Sequence, residues 1–159
     1  MTQPIRIAMW SGPRNISTAM MRSWGNRDDT VVIDEPFYAY YLKVTGIEHP
    51  GADEVIATGE TDWRKVVAHL AGQITNGKRI FFQKQMTHHL LPHISREWLG
   101  SVTNCFLIRD PREMLTSYIN IVSQPSLSST IKEAPSVACA AAKKAPTPAT
   151  SVPTTISLG

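Results

Sequence analysis

Four short runs of apolar residues, rich in β-branched and aromatic side chains, recur along the first 123 residues and alternate with helix-like segments. The predicted strands are residues 5–10, 30–34, 78–84 and 103–109. The predicted helices are residues 17–25, 36–46, 62–77 and 111–122, with one helical turn within 49–60 and a short helix within 88–100. Apolar strands that alternate with helices are typical of a parallel sheet covered by helices. The sequence therefore predicts a three-layer α/β fold with a central parallel β-sheet flanked by helices.

The clearest of these helices is predicted for residues 62–77. Its apolar side chains recur at i, i+3, i+4, i+7 and i+11, at Trp63, Val66, Val67, Leu70 and Ile74. That spacing places them on one face of an α-helix, so this face is expected to pack on the sheet.

The composition changes abruptly after Ser123. From Gln124 to the end there is no Phe, Trp, Tyr or Met, and Pro, Ser, Thr and Ala supply 23 of the 36 residues. A segment with so little apolar bulk does not offset the entropy cost of ordering its chain. We expect a domain at 1–123 and a disordered tail at 124–159. The tail is a linker or interaction segment, or else the end of a globular sequence that was truncated or mis-spliced.

The bulk composition narrows the function classes. Lys132, Lys143 and Lys144 against Glu133 give the tail +2 of the net charge of +3, so residues 1–123 carry only +1. The basic composition is therefore weak evidence for nucleic-acid binding. Two cysteines make neither a disulfide framework nor a metal-ligand pattern. No apolar stretch is long enough to span a membrane, and no secretory signal is visible. A cytoplasmic protein without nucleic-acid or membrane partners is expected; the oligomeric state stays open.

The loop after the first strand has the residues of an anion site. In parallel sheets, ligands bind beyond the carboxyl ends of the strands, and Ser11–Thr18 lies at such an end. The following helix presents free N–H groups and a positive dipole end. Gly12 permits close approach of the backbone, Arg14 adds a charged fork, and Ser17 and Thr18 add hydroxyl donors. A capped helix after a proline turn is the purely structural alternative.

This loop differs from the phosphate-binding loop of ATPases. That loop requires G-x-x-x-x-G-K-[ST], whereas Gly12 is followed by Ser17 and Thr18 with no second glycine and no lysine. A magnesium-dependent nucleotide kinase, or another P-loop-like phosphate-binding protein, is therefore an alternative with less support.

A second strand-to-helix junction carries the motif "LIRDPREMLTSY". Asp110, Pro111 and Glu113 are explained by structure alone, as helix cap, first helical residue and partner in a capping box. Arg109 at the strand end has no such explanation, and Ser117 lies eight residues later, two turns into the helix. Together the two side chains could hold one phosphate.

The two motifs as a pair resemble those of the sulfotransferases that use 3′-phosphoadenosine 5′-phosphosulfate (PAPS), and most resemble the bacterial-type members. The first match is Pro13-Arg14-Asn15-Ile16-Ser17-Thr18, with Arg14 in the place of the family's lysine and Ile16 in the place of its glycine. The second is Arg109 with Ser117 at the family's spacing. The likeness covers residues 5 to about 123. It implies a P-loop NTPase-like sulfotransferase fold, here incomplete, with the 5′-phosphosulfate on residues 11–18 and the 3′-phosphate on the second motif.

The resemblance also implies the chemistry, which is sulfuryl transfer from PAPS to a small acceptor without a metal ion. Arg14 would stabilise charge on the leaving phosphate. Glu35 is the first candidate base, because some members place a glutamate there, and His88 or His89 is the second, displaced from the family's K-x-H pattern that begins here at Lys84. Helix capping by Asp34 and Glu35 is the structural alternative.

The acceptor side is less defined by the sequence. The aromatic run "PFYAYY" (36–41) is either core or a wall of the acceptor pocket beside Glu35. Family members usually continue well past the second motif, so a non-catalytic or inactive truncated protein with a half-open cleft is a further alternative.

Overall fold

The computed structural model describes residues 3–119, which form a four-stranded parallel sheet with helices on both faces. The strands are β1 (Ile5–Ser11), β2 (Thr30–Asp34), β3 (Ile80–Met86) and β4 (Thr103–Leu107), in the order β2-β3-β1-β4. The α-helices are α1 (Ser17–Gly25), α2 (Tyr38–Thr45), α3 (Ala52–Thr58), α4 (Trp63–Ala71) and α5 (Pro111–Ile119). The predicted α/β class and central parallel sheet are confirmed.

The two faces of the sheet are covered by different helices. Consecutive side chains of a strand point to opposite faces, and in β3 Phe82 stacks on Trp24 of α1, with ring centroids 5.3 Å apart. Phe81 belongs to the core of the other face, together with Trp10, residues of α2 and α4, and the segment before β4. The alternation of apolar side chains thus produces the three predicted layers.

The apolar face predicted for the longest helix is buried as expected, but the helix is shorter. Val66 and Leu70 are fully enclosed, and Trp63, Val67 and Ile74 pack around them, while α4 ends at Ala71. The Arg6 side chain donates to the carbonyl of Gly72 from Nε (3.0 Å) and Nη2 (2.7 Å). The prediction of a helix to residue 77 is wrong, because this contact from β1 replaces the next helical turn.

Other boundaries also shift. The segment 49–60 contains a seven-residue helix rather than one turn, and only 3₁₀ turns, at Thr87–His89 and Glu97–Ser101, lie between β3 and β4. The third strand runs two residues further than predicted and the fourth ends two residues earlier. The predicted tail at 124–159, and the domain boundary with it, lies outside the described residues.

Within residues 3–119, no helix is long and apolar enough to cross a membrane.

Candidate active site

Four segments converge at the carboxyl edge of the sheet, one after each strand. They are the loop after β1, Glu35 after β2, the 3₁₀ turn after β3, and the segment 108–110 before α5. The strands are parallel and β1 pairs with both β3 and β4, so these segments share one edge. The predicted site residues are therefore gathered at the edge where parallel sheets bind ligands.

The loop after β1 delivers the N-terminus of α1 without a side-chain cap. Ile16 occupies the N-cap position with φ −82° and ψ 14°, and its side chain makes no capping bond. No acidic residue lies in the first turn of the helix. Arg14 adopts φ 59°, a left-handed conformation uncommon for a residue with a side chain. An uncapped N-terminus leaves the positive end of the helix dipole to an anion.

The predicted residues of this loop differ in exposure. Arg14, Ile16 and Thr18 are exposed, and Gly12, Pro13 and Asn15 are half-buried. Ser11 and Ser17 are buried, and the Ser11 hydroxyl donates to Met86 Sδ at 3.7 Å. Of the three hydroxyl side chains, Thr18 is thus the most accessible to a ligand.

The two motifs meet, although about a hundred residues separate them. Arg14 Nε donates to Ser117 Oγ at 3.2 Å, and Arg109 Nη1 donates to the carbonyl of Arg14 at 2.8 Å. Asn15 Nδ2 donates to the carbonyl of Leu107 at 3.3 Å, which ties the first loop to the end of β4. We call Arg14, Arg109 and Ser117 the phosphate end. It combines two guanidinium groups with a hydroxyl beside a helix N-terminus.

Of the two capping side chains predicted at the start of α5, only Asp110 makes the expected contact. The Asp110 carboxylate accepts from the backbone N–H of Arg112 at 2.8 Å, so it caps α5. Glu113, predicted to complete a capping box, instead accepts from Arg109 Nε at 3.4 Å. This i, i+4 contact orients Arg109 next to the first loop.

A second group of charged side chains lies beyond β2 and β3. Lys84 Nζ contacts Glu35 Oε1 at 2.5 Å and Asp34 Oδ1 at 2.7 Å. Asp34 and Lys84 are register partners in the sheet, and the Glu35 N–H donates to the Lys84 carbonyl at 2.9 Å. The prediction that Asp34 caps a helix at residue 36 is wrong, since α2 begins at Tyr38 without a side-chain cap. Glu35, with φ 42°, is likewise a partner of Lys84.

Lys84 is 3% exposed, so its charge depends on these carboxylates. Burial by itself lowers the pKa of Lys84, but the hydrogen bonds that Lys84 donates to Asp34 and Glu35, together with their negative charges, outweigh it and raise the pKa above its ordinary value. Lys84 is therefore a cation at physiological pH, and it contacts Glu35 Oε1.

One of the two candidate histidines, His89, lies beside Glu35. His89 Nδ1 lies 4.0 Å from Glu35 Oε2, and the side chain is buried. Burial, followed by the neighbouring charges of His88 and Lys84, lowers the pKa of His89 from 6.5 to about 2. His88 is half-buried, with its ring 4.3 Å from that of His89 and edge-on to Tyr41. We call Glu35, Lys84 and His89 the carboxylate end.

A cleft of about 700 Å³ opens beside Glu35. Side chains of β2, α2, α3 and α4 form its walls, including Asp34, Tyr38, Glu60 and His69. Of the aromatic run 36–41, Pro36, Tyr38 and Ala39 line the cleft, whereas Phe37, Tyr40 and Tyr41 are core. The run therefore contributes to the core and also lines the cleft, and its part in an acceptor pocket stays a prediction.

The sequence left His88 and His89 as alternatives and indicated no structural part for Lys84. The pairing of β2 with β3 sets Asp34 opposite Lys84, and local sequence patterns do not define this register. Among residues 3–119, no group of three or more His, Cys, Asp and Glu side chains is arranged to hold a metal ion.

Comparison with known proteins identifies related sequences. A family model described as a sulfotransferase domain matches residues 5–141. Branched-chain-amino-acid aminotransferase-like protein 2 of Arabidopsis thaliana is 37% identical over 116 residues, covering 72% of this chain and 20% of the relative. Protein 1 of the same name and organism is 36% identical over 118 residues, covering 74% and 21%. The chain therefore spans about a fifth of the length of these relatives. No solved structure gives a significant match.

Proposed function

The chain belongs to the sulfotransferase domain family, and on that premise we propose that it transfers a sulfuryl group from PAPS to a hydroxyl or amine of a small acceptor. The assignment of PAPS as the donor rests on one observation, the contact between the loop after β1 and the second motif. Arg14 contacts Ser117, and Arg109 contacts the Arg14 carbonyl, beside an uncapped helix N-terminus. Two fixed guanidinium groups at this point suit a ligand with phosphates at two positions, since arginine binds phosphate with paired donors.

In the proposed complex, each end of the site has one task. The N–H groups at the start of α1 and the side chain of Arg14 hold the 5′-phosphosulfate and stabilise the charge that develops on the leaving phosphate. Arg109 and Ser117 hold the 3′-phosphate. The cleft beside Glu35 takes the acceptor, so the nucleophile approaches from the carboxylate end.

Glu35 is the proposed base. Its carboxylate takes the proton of the acceptor hydroxyl while the acceptor oxygen forms a bond to sulfur. The bond between sulfur and the 5′-phosphate oxygen breaks, and 3′,5′-adenosine bisphosphate leaves with that electron pair. Lys84 Nζ, 2.5 Å from Glu35 Oε1, orients the carboxylate for this step. His88 remains the second candidate base.

Calorimetry tests the donor assignment. We expect the full chain to bind 3′,5′-adenosine bisphosphate more tightly than 5′-AMP and more tightly than ATP with magnesium. Arg109→Ala should weaken binding of the bisphosphate at least ten-fold, which is about 1.4 kcal/mol, and leave 5′-AMP binding nearly unchanged. Arg112→Ala is the matched control, because Arg112 is an exposed arginine on the same helix.

Tighter binding of ATP with magnesium would contradict the proposal and favour a kinase. Equal losses for bisphosphate and 5′-AMP in Arg109→Ala would show that Arg109 does not hold the 3′-phosphate. Transfer of ³⁵S from labelled PAPS to a panel of small alcohols, phenols and amines then tests the reaction. Glu35→Gln should abolish that transfer while the bisphosphate still binds.

A further inference from the structure

The imidazole of His89 is buried with an unused hydrogen-bonding atom. The residue is 3% exposed, and Nδ1 has no hydrogen-bond partner among the described residues. A buried polar atom without a partner is costly, so such atoms are few in native proteins, and among the described side chains only Trp98 Nε1 in the core shares this state. The nearest carboxylate oxygen is Glu35 Oε2, at 4.0 Å.

Aromatic rings fix the orientation of this imidazole. Tyr38 stacks on it with ring centroids 4.9 Å apart and an interplanar angle of 18°. Tyr41 packs at 4.7 Å, and His88 lies edge-on at 4.3 Å. Because the ring is held between these neighbours, Nδ1 keeps its direction towards Glu35.

We propose that His89 is a positioning residue for Glu35: its Nδ1–H donates to Glu35 Oε2 when the acceptor is bound and holds the carboxylate that removes the acceptor proton. This inference rests on the proposed function of Glu35. It assigns His89 a role other than base, with Lys84 holding one carboxylate oxygen and His89 the other.

The charge of His89 agrees with that role. Burial lowers the pKa of His89 to about 2, so the imidazole is neutral at physiological pH. A neutral imidazole has one N–H, which can donate to a carboxylate, and it takes up no proton in this pH range. Among the described residues, Lys84, Tyr38 and His89 face Glu35, and Asp34 shares Lys84 with it. His88 and Tyr41 face His89 in turn.

A hydrogen bond between His89 Nδ1 and Glu35 Oε2 requires only a small movement of the Glu35 side chain. The separation of 4.0 Å exceeds an ordinary N–H···O distance by about 1 Å. The terminal torsion of a glutamate is broad, and the Glu35 side chain is 27% exposed at the edge of the cleft. Rotation of the carboxylate about its contact with Lys84 brings Oε2 within hydrogen-bonding range of the fixed imidazole.

Two substitutions distinguish the effect of the Nδ1–H donor of His89 from the effect of the ring's volume. His89→Asn places an amide N–H close to the position of Nδ1, whereas His89→Leu removes the donor. We expect His89→Leu to lower kcat about 10-fold to 100-fold with little change in KM, and to move the acidic limb of the kcat/KM profile to higher pH. His89→Asn should recover most of kcat and the wild-type limb. Both variants should bind 3′,5′-adenosine bisphosphate with the wild-type Kd.

Equal loss of kcat in His89→Asn and His89→Leu, with the pH profile unmoved, would overturn the proposal. Direct observation of the wild-type chain decides the matter even if the leucine variant fails to fold or no turnover is found. ¹⁵N NMR should show the Nδ1–H tautomer of a neutral His89, and an Nε2–H tautomer would rule out the donor role. Failure of bisphosphate binding would instead count against the proposed function and leave the tautomer result standing.

Discussion

Both ends of the site contain cationic side chains, but these side chains lie in opposite environments. At the phosphate end, Arg14 and Arg109 are exposed; Arg14 is held by a hydrogen bond to Ser117, and Arg109 by hydrogen bonds to Glu113 and the Arg14 carbonyl. At the carboxylate end, Lys84 and His89 are 3% exposed and are enclosed by strands and aromatic rings. The phosphate end is therefore available to a ligand at little cost, whereas the carboxylate end is part of the fold.

Because of this difference, a substitution affects stability and function to different extents at the two ends. Exposed charge pairs contribute about 0–1 kcal/mol to stability, so the phosphate end can be altered without unfolding the chain. Buried charges cost several kcal/mol when their partner is removed. A variant at the carboxylate end therefore changes both the reaction and the free energy of unfolding.

The largest effect is expected from the carboxylates around Lys84. The double change Asp34→Asn with Glu35→Gln leaves the Lys84 ammonium, whose side chain is 4% exposed, without an anion. We expect the free energy of unfolding to fall by about 3 kcal/mol. Urea denaturation followed by circular dichroism measures the change. Arg109→Ala, at the phosphate end, should change it by less than about 1 kcal/mol.

A third substitution sharpens this comparison. Adding Lys84→Met to the double variant removes the buried charge, so we expect most of the lost stability to return. If the triple variant were less stable than the double, the loss would come from packing and not from an unpaired ammonium.

The next largest effect is the pH dependence of the free energy of unfolding. The folded pKa of His89 is about 2 and the unfolded value is 6.5, so between these values the unfolded chain binds one more proton. The stability linked to His89 is complete above pH 6.5 and is lost as the pH falls towards 2. We expect it to decrease by about 2 kcal/mol between pH 6.5 and 4.5, at roughly 1.4 kcal/mol per unit.

Urea unfolding at pH 7.5, 6.5, 5.5 and 4.5 measures this dependence. His89→Leu should have a shallower slope by that amount, since the other titrating groups are retained. His49→Asn should keep the wild-type slope, because His49 is exposed. Parallel slopes in the wild type and His89→Leu would show that His89 takes up its proton as easily in the folded chain as in the unfolded one.

A smaller effect is expected at the phosphate end, in ligand affinity. Arg14 Nε donates to Ser117 Oγ, so the two side chains act on a bound phosphate as one unit. Arg14→Ala and Ser117→Ala should weaken 3′,5′-adenosine bisphosphate binding non-additively, with a coupling of about 1 kcal/mol in a double-mutant cycle. Calorimetry at two salt concentrations should also show weaker binding at high salt, since the arginines are exposed. Strictly additive losses would place the two residues on separate parts of the ligand.

The phosphate end could be predicted from the sequence because each of its parts is local. A strand, a short polar loop and a helix occur twice, and the parallel sheet brings both loops to one edge. The contact between Arg14 and Ser117 was not predicted, since the sequence paired Ser117 with Arg109. The left-handed backbone of Arg14 was not predicted either, because glycine is the residue usually expected in that conformation.

The carboxylate end depends on contacts between distant residues. The burial of Lys84 results from the register of β2 on β3, which local patterns do not define, and Asp34 was assigned to a helix cap for the same reason. His89 is distinguished from His88 only by which ring inserts between Tyr38 and Tyr41. The end of α4 likewise depends on Arg6, 66 residues away.

The smallest effect on the free energy of unfolding is expected at the N-termini of the two helices at the phosphate end. Asp110 caps α5, so Asp110→Ala should cost about 1 kcal/mol of stability. Ile16, at the N-cap of α1, lacks a capping side chain, yet its backbone at ψ 14° is not the extended conformation in which serine reaches the next N–H groups. We therefore expect Ile16→Ser to change the stability by less than about 0.5 kcal/mol. Urea unfolding measures both variants. A gain of 1 kcal/mol in Ile16→Ser would mean that a side chain can satisfy this terminus, whereas an unchanged value supports a loop shaped to leave those N–H groups to a ligand.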